Sequence, residues 1–418
     1  MRLKSFQVRM VRNIVDSEEI IVDDSVTCLV GKNEAGKSAL LQALHHLNPT
    51  KPVVSLNLLD EYPRWLKKEH EITGAIKDAV PITATFELDP AESEQLETDY
   101  GVGVLRTKEV IFSRTYAAPS KLIVDADIDY AKFVGPFGEG LPARLKAKLG
   151  EPTTTTELSK ALDAVIAERD EAVDSSVALA TDAEDAKVKL TESLKGATNL
   201  RGAIESELVS LHPSTFYFST YSQLTGRYNI AEVFPALQSG SDDESIQAAA
   251  DFLKLARIAP TTVEEWDFEA SNAELESISS LLTQRVKEHW HQNDHLKLRV
   301  SLEIQKGPPE APEAPEAPDA VQRYLQFRVE DTRHDFSSRL DRRSTGFQWF
   351  ISFIASFLEF ETTKNLILLL DEPGLSLHAR RRWTSSTRSR IVSRRIDKCC
   401  TRRTLHSSSE PTGLIVRE

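Results

Sequence analysis

The sequence predicts an α/β fold: a mixed sheet interrupted by a helical insertion. Three stretches carry that prediction. In "VTCLVGKNEAGKSALLQALHHL" an apolar strand runs through a glycine-rich turn into helical spacing at Leu40, Leu41, Leu44 and Leu47. In "NLILLLDEP", residues 365–373, five aliphatics precede two acids, the pattern of a strand buried on both faces of a parallel sheet. Residues 151–212 turn to Ala, Glu, Asp, Lys and Leu, which reads as two or more exposed helices broken near Gly196.

The remaining elements follow in order. "RLKSFQV", "EEIIV" and "SVTCLV" read as strands separated by turns, and "PITATFELD" (81–89) alternates into another. "FYFSTYSQLTGRYNI" (216–230) returns to aromatic, strand-like composition after the helical stretch. "LKLRVSLEI" and "YLQFRVED" alternate and flank the proline repeat "GPPEAPEAPEAPDA", which reads as a polyproline-like loop of a hairpin. A docking site for a proline-reading partner is the less economical reading of that repeat.

Composition narrows the function classes. The chain has 418 residues, 40% hydrophobic and 28% charged, enough for one large domain or two ordinary ones. The longest aliphatic block, Leu366 to Leu370, is far short of the roughly 18 residues that span a bilayer. No secretory leader is visible behind Arg2 and Lys4, and three cysteines cannot build a disulfide framework, so a cytoplasmic home is expected. Cys28 reads as a small core residue. Net charge is −13, yet the segment from Arg380 has ten Arg and one Lys against three acids, so the first 379 residues carry −21. So acidic a body does not advertise a broad nucleic-acid surface, and any such contact needs a local patch.

Two of the stretches carry recognisable chemistry. Gly31, Gly36, Lys37 and Ser38 match G-x-x-x-x-G-K-[ST], in the strand-to-helix context that the motif requires. The glycines let the backbone wrap phosphates, and amides at the helix start point at them. Lys37 is expected to neutralise the β- and γ-phosphates and Ser38 to ligate Mg2+. Asn33, Glu34, Ala35 and Ala39 complete the stretch expected to touch the nucleotide. Asp371 and Glu372 arrive at the C-terminal end of the buried strand, where ligands bind in open α/β sheets. Asp371 is the candidate magnesium ligand and Glu372 the candidate base for the attacking water. Alone, they would read as a solvated acidic turn after a core strand.

A third element is "RSTGFQWFISFIASF", 343–357, where Ser344, Thr345 and Gly346 precede a helix with Phe350, Phe353, Ile354 and Phe357 at helical spacing. Small residues at a helix start make an anion site. Since the first motif already occupies one phosphate face, the second suggests use in trans; an ordinary helix cap is the plainer reading.

These stretches, with "DEYPRW", "FYFSTYSQLTGRYNI" and "LLLDEPGLSLHA", resemble the ABC-type ATPase head of chromosome-maintenance and RecF-like proteins, and most of all the overcoming-lysogenization-defect (OLD) family. The resemblance covers residues 1 to about 379 and is weakest over the helical insertion. It implies a P-loop NTPase of the ABC type, ATP and Mg2+ as ligands, and a head-to-tail homodimer. ATP held by Gly31–Ser38, Asp371 and Glu372 would be capped by Ser344, Thr345 and Gly346 of the other copy, with Gly374 to His378 as the D-loop. No residue is assigned to the family's Q-loop. DNA, with a nuclease or helicase partner, is the implied target, in repair or phage defence; no membrane is implied.

The resulting division is 1–150 as the first half of the head, 151–212 as the helical insertion, 213–379 as the second half, and 380–418 as a basic tail. That tail lacks apolar periodicity and reads as disordered, or as a nucleic-acid-binding arm. It departs from the family, which continues to a "T-H-S-P" switch and often a Toprim nuclease. Read one base out of frame, codons for Cys400 to Ser408 permit Tyr-Thr-Thr-His-Ser-Pro-Phe-Leu, which suggests a frameshift near Arg380. The expected function is ATP hydrolysis coupled to DNA processing; the alternative is a non-catalytic ATP-binding dimerisation module. A transporter subunit would keep the first and third motifs closer than 307 residues, and a small-molecule kinase would not need the Ser-Thr-Gly turn.

Overall fold

The computed structural model describes residues 1–24, 26–51, 56–219, 222–241, 243–255, 268–289, 295–306, 321–358, 360, 365–372 and 413–417. In chain order come β1 (Arg2–Val11), β2 (Ile14–Asp16), β3 (Ile20–Ile21), β4 (Val26–Val30) and α1 (Lys37–His45). Next are α2 (Arg64–Thr73), β5 (Ile82–Glu87), α3 (Pro90–Tyr100), β6 (Leu105–Arg114) and β7 (Ile123–Ile128). Five helices follow: α4 (Ala131–Glu139), α5 (Ala143–Leu149), α6 (Thr155–Ala167), α7 (Asp174–Ser193) and α8 (Leu200–Leu211). Then come β8 (Ser214–Phe218), β9 (Arg227–Asn229), α9 (Ile230–Ser239), α10 (Glu244–Leu255) and α11 (Phe268–His289). The last are β10 (Leu296–Lys306), β11 (Val321–Asp331), β12 (Phe336–Arg339), α12 (Thr345–Leu358), β13 (Leu366–Leu370) and β14 (Gly413–Arg417).

The chain divides into two compact units, Met1–Val22 with Leu56–Pro213, and Asp23–Ser55 with Ser214–Glu418. This cuts across the division expected from sequence. The Gly31–Ser38 loop folds with the second half of the chain, and the helices of 151–212 fold with the antiparallel strands. Sheet pairing is the reason, because β4 finds its partners among strands far along the chain.

The first unit is built on an antiparallel sheet of order β2-β1-β5-β6-β7, with β3 also on β1. Ile82, Ala84 and Phe86 of β5 alternate inward, as a strand with one buried face requires. His212 is enclosed between the rings of Phe86 and Phe112, at centroid distances of 4.7 and 4.3 Å. Helices α3 and α6 each start with a reciprocal capping box, Asp89 with Glu92 and Thr154 with Glu157. Ala180, Ala183 and Ala186 on α7 are buried, small enough to let α6 approach through Leu158 and Leu162. The break near Gly196 is present, at φ +83°.

The second unit holds an all-parallel sheet, order β4-β14-β13-β8. Leu370 registers with Phe218 on one side and Ile415 on the other, and Ile415 with Cys28. The expectation of a disordered tail is therefore corrected over Gly413–Arg417, which forms an internal strand. The averaged basic composition of 380–418 hid the aliphatic run Leu414-Ile415-Val416, which suits a strand between two others. The D-loop stretch, the rest of the tail and the proline repeat lie outside the described residues.

A second, antiparallel sheet carries β10-β11-β12, with β9 on β11; β10 and β11 register from Leu296↔Asp331 to Lys306↔Val321. The free edge of β10 is closed by side chains of α11. The amides of Leu298 and Val300 donate to the hydroxyls of Thr283 (2.9 Å) and Ser279 (2.8 Å). From Trp349 to Phe357 α12 is buried on every side, which its run of Phe, Ile and Trp dictates. Trp349, Phe353 and Phe357 stack along it and meet the edges of Phe216 and Phe218 from β8.

Candidate functional site

Strand β4 ends at Val30 and the chain turns through Gly31–Gly36 into α1. Two residues make that turn with left-handed backbone, Glu34 at φ +63° and Gly36 at φ +89°. Gly36 is the N-cap of α1 without a side-chain cap, so the first amides of the helix stay free of side-chain capping at that residue. The first turn of α1 carries no acid, which leaves the positive end of the helix dipole uncompensated there. Lys37 curls back over the loop, its ammonium donating to the carbonyls of Gly31 (2.8 Å) and Lys32 (2.9 Å). Asn33, Glu34 and Ala35 are exposed, Ser38 is half-buried, and Ala39 faces the core.

Across the same sheet, β13 delivers Asp371 and Glu372. The Asp371 amide donates to the Phe218 carbonyl (2.9 Å), extending the parallel ladder by one residue. The residue is 7% exposed. Oδ2 accepts the Tyr217 hydroxyl at 3.0 Å, while Oδ1 is buried and has no partner among the described residues. Burial of an anionic oxygen unpaired is costly, so a group that satisfies it when bound is the economical explanation. Glu372 sits at φ +51°, a backbone state rare outside glycine, of the kind found where a side chain is held for use.

Sequence reasoning missed the link between these halves. Tyr217 lies on β8 between Phe216 and Phe218, which point into the core. Its hydroxyl accepts Gln42 Nε2 from α1 at 3.3 Å and donates to Asp371. Burial first, then the Asp371 charge, push the phenol well above the ordinary tyrosine range, so it stays a donor. The signal was present as one hydroxyl-bearing aromatic between two phenylalanines.

The Ser344–Gly346 turn starts α12. The Ser344 carbonyl accepts the amides of Phe347 (2.9 Å) and Gln348 (3.0 Å), and the side chains of Ser344 and Thr345 are exposed. Gln348 braces the turn by donating to the carbonyls of Asp341 (3.0 Å) and Arg343 (2.8 Å). Gly226, at φ +91°, backs the preceding residues so closely that a Cβ there would lie 3.1 Å from the Asp341 amide. Among the described residues no hydrogen bond or ion pair joins this turn to the Gly31–Ser38 loop of its own chain.

A buried carboxylate ties α10 to α12 and to the segment after α1. Asp251 on α10 is fully enclosed and accepts the Lys51 ammonium, Gln247 Nε2 (2.7 Å) and the Ser356 hydroxyl of α12 (3.2 Å). Lys51 follows α1, so the segment behind the glycine loop and the helix behind the Ser-Thr-Gly turn share one carboxylate.

Residues 1–382 match the family described as AAA ATPase domain. No curated protein matches the sequence. Among solved structures, the chain is similar to the Smc head domain with an extended coiled coil bound to the C-terminal domain of ScpA, from Pyrococcus furiosus (12% identity, TM-score 0.33), covering 100% of this chain and 89% of that one. It is also similar to the SMC head domain from Thermotoga maritima (11%, TM-score 0.31, covering 100% and 90%). A third is the recombination mediator protein RecF bound to ATP (12%, TM-score 0.33, covering 100% and 91%). No described helix is long and apolar enough to cross a membrane.

Proposed function

Because this chain belongs to the AAA ATPase domain family, with the α/β fold of an ABC-type P-loop NTPase, we propose that it binds Mg-ATP and hydrolyses it as a head-to-tail homodimer. The observation that carries this reading is the enclosed Asp371 carboxylate, one oxygen held by Tyr217 and the other unpaired, on the sheet that opens into α1. The donor set fits the ligand: Gly31, Gly36 and the amides of Asn33, Glu34 and Ala39 suit phosphate oxygens, the Ala35 amide closes the turn on the Lys32 carbonyl (3.2 Å), and Ser38 with Asp371 suits a hard cation. Lys37 exchanges its two loop carbonyls for phosphate charge, and Glu372 orients and deprotonates the attacking water. Bound magnesium supplies charge neutralisation between the β- and γ-phosphates.

Ser344, Thr345 and Gly346 cap the nucleotide of a second copy. The exposure of the Ser344 and Thr345 side chains supports use in trans. The finer reading is an OLD-like ATPase of the cytoplasm that couples closure to DNA repair or phage defence, with a nuclease or helicase as partner. A second reading is a binding module without turnover. It is favoured by the tail, where residues 380–418 contain no Thr-His-Ser-Pro and Gly413–Arg417 supplies the strand between β4 and β13.

Two variants test the proposal. With ATP and magnesium the wild type forms dimers; Lys37→Ala loses nucleotide affinity by tenfold or more, about 1.4 kcal/mol at least. Ser344→Arg keeps nucleotide binding but loses ATP-dependent dimers. A well-folded wild type that binds no nucleotide in calorimetry overturns the proposal, and phosphate release separates turnover from the binding module.

A further inference from the structure

We infer that Tyr217 is a positioning residue that fixes the Asp371 carboxylate for magnesium from the glycine-loop helix, through the relay Gln42–Tyr217–Asp371; this rests on the Mg-ATP reading above. Three observations support it. The relay joins three elements that are distant in sequence, with donor-acceptor distances of 3.3 Å from Gln42 Nε2 to the phenol and 3.0 Å from the phenol to Asp371 Oδ2. Asp371 is buried, so water has little access to orient its carboxylate, and among the described residues Tyr217 is its side-chain donor. Once Oδ2 is taken, Oδ1 is left as the free acceptor, and the rotamer is fixed before any cation arrives.

The hydroxyl performs this service without touching substrate. The relay also registers α1 against β13. A shift of α1 on nucleotide binding is therefore passed to the magnesium ligand through Gln42, whose Nε2 is the donor to that hydroxyl.

The test uses the full chain and Tyr217→Phe, which keeps the ring and removes one oxygen. A fluorescent ATP analogue is titrated in EDTA, and magnesium is then titrated into the complex at saturating analogue. Metal-free affinity is expected to stay within twofold of wild type, while the magnesium midpoint rises roughly tenfold, the scale for loss of an outer-shell partner. Gln42→Leu, which leaves Asp371 with its phenol but frees the phenol to rotate, is expected to move the midpoint in the same direction by less. Unchanged midpoints in Tyr217→Phe with normal analogue binding overturn the inference and leave the nucleotide site standing. If the wild type fails to bind the analogue with or without magnesium, the Mg-ATP reading and this inference fall together. A merely structural tyrosine would weaken analogue binding in EDTA as much as in magnesium, which also overturns the inference.

Discussion

Asp251→Ala is the perturbation whose cost the structure defines most sharply. Asp251 is 0% exposed and collects three donors, the Lys51 ammonium, Gln247 Nε2 and the Ser356 hydroxyl. Truncation leaves all three without their acceptor. Removing one partner of a buried ion pair costs about 3–5 kcal/mol. The Lys51 side chain is 21% exposed and can turn part of its charge to water, which favours the lower end, about 3 kcal/mol. Ser356, itself buried, adds about 1 kcal/mol as an unsatisfied hydroxyl. The expected loss is thus about 4 kcal/mol, measured by urea unfolding as a lowered midpoint with an unchanged slope. Replacing both charges, Lys51→Met with Asp251→Leu, should recover most of it, since apolar substitutes for a buried pair are often near neutral. A loss under about 1 kcal/mol in Asp251→Ala would refute the view that this carboxylate holds α10, α12 and the segment after α1 together.

Two more predictions follow from burial and pairing. His212 is enclosed by aromatic rings and its pKa is lowered to about 4, chiefly by burial, so the folded state prefers the neutral ring. Its contribution is complete above about pH 6.5, the unfolded value, and is lost as pH falls toward 4, with a slope of up to ~1.4 kcal/mol per pH unit. His212→Asn should flatten the pH dependence of unfolding over that window, and parallel curves for variant and wild type would contradict the assignment. Deleting residues 413–418 removes the strand between β4 and β13, whose ladder with β4 alone registers five residue pairs. At about 1 kcal/mol per lost hydrogen bond the cost is roughly 5 kcal/mol, seen as insoluble protein or a sharply lower Tm; a truncated chain that melts like wild type would contradict the internal position of that strand.

Much of the fold was legible because its signals are local. The Gly31–Ser38 pattern, the five aliphatics before Asp371 and the alternation in β5, β10 and β11 each sit within a few residues. What escaped depends on pairing across long separations. Residues 23–55 fold with the chain's second half because β4 pairs with β14, some four hundred positions on, a partnership with no local signature. The strand Gly413–Arg417 escaped for a related reason, since the surrounding arginines dominate any composition window. At the candidate site, the residues with motif spacing could be named in advance, whereas Tyr217, Gln42 and Asp251 could not. Each is a polar group in apolar surroundings whose partner lies on a distant element.

The central claim is that one copy's glycine loop and another copy's Ser-Thr-Gly turn enclose the same nucleotide. Mixing Lys37→Ala with Ser344→Arg in ATP and magnesium tests it, with particle mass as the readout. Each variant alone should remain monomeric, and the equimolar mixture should yield dimers, because a mixed pair retains one intact loop facing one intact turn. A mixture that stays monomeric while wild type dimerises, or a Ser344→Arg protein that dimerises unaided, would contradict the account.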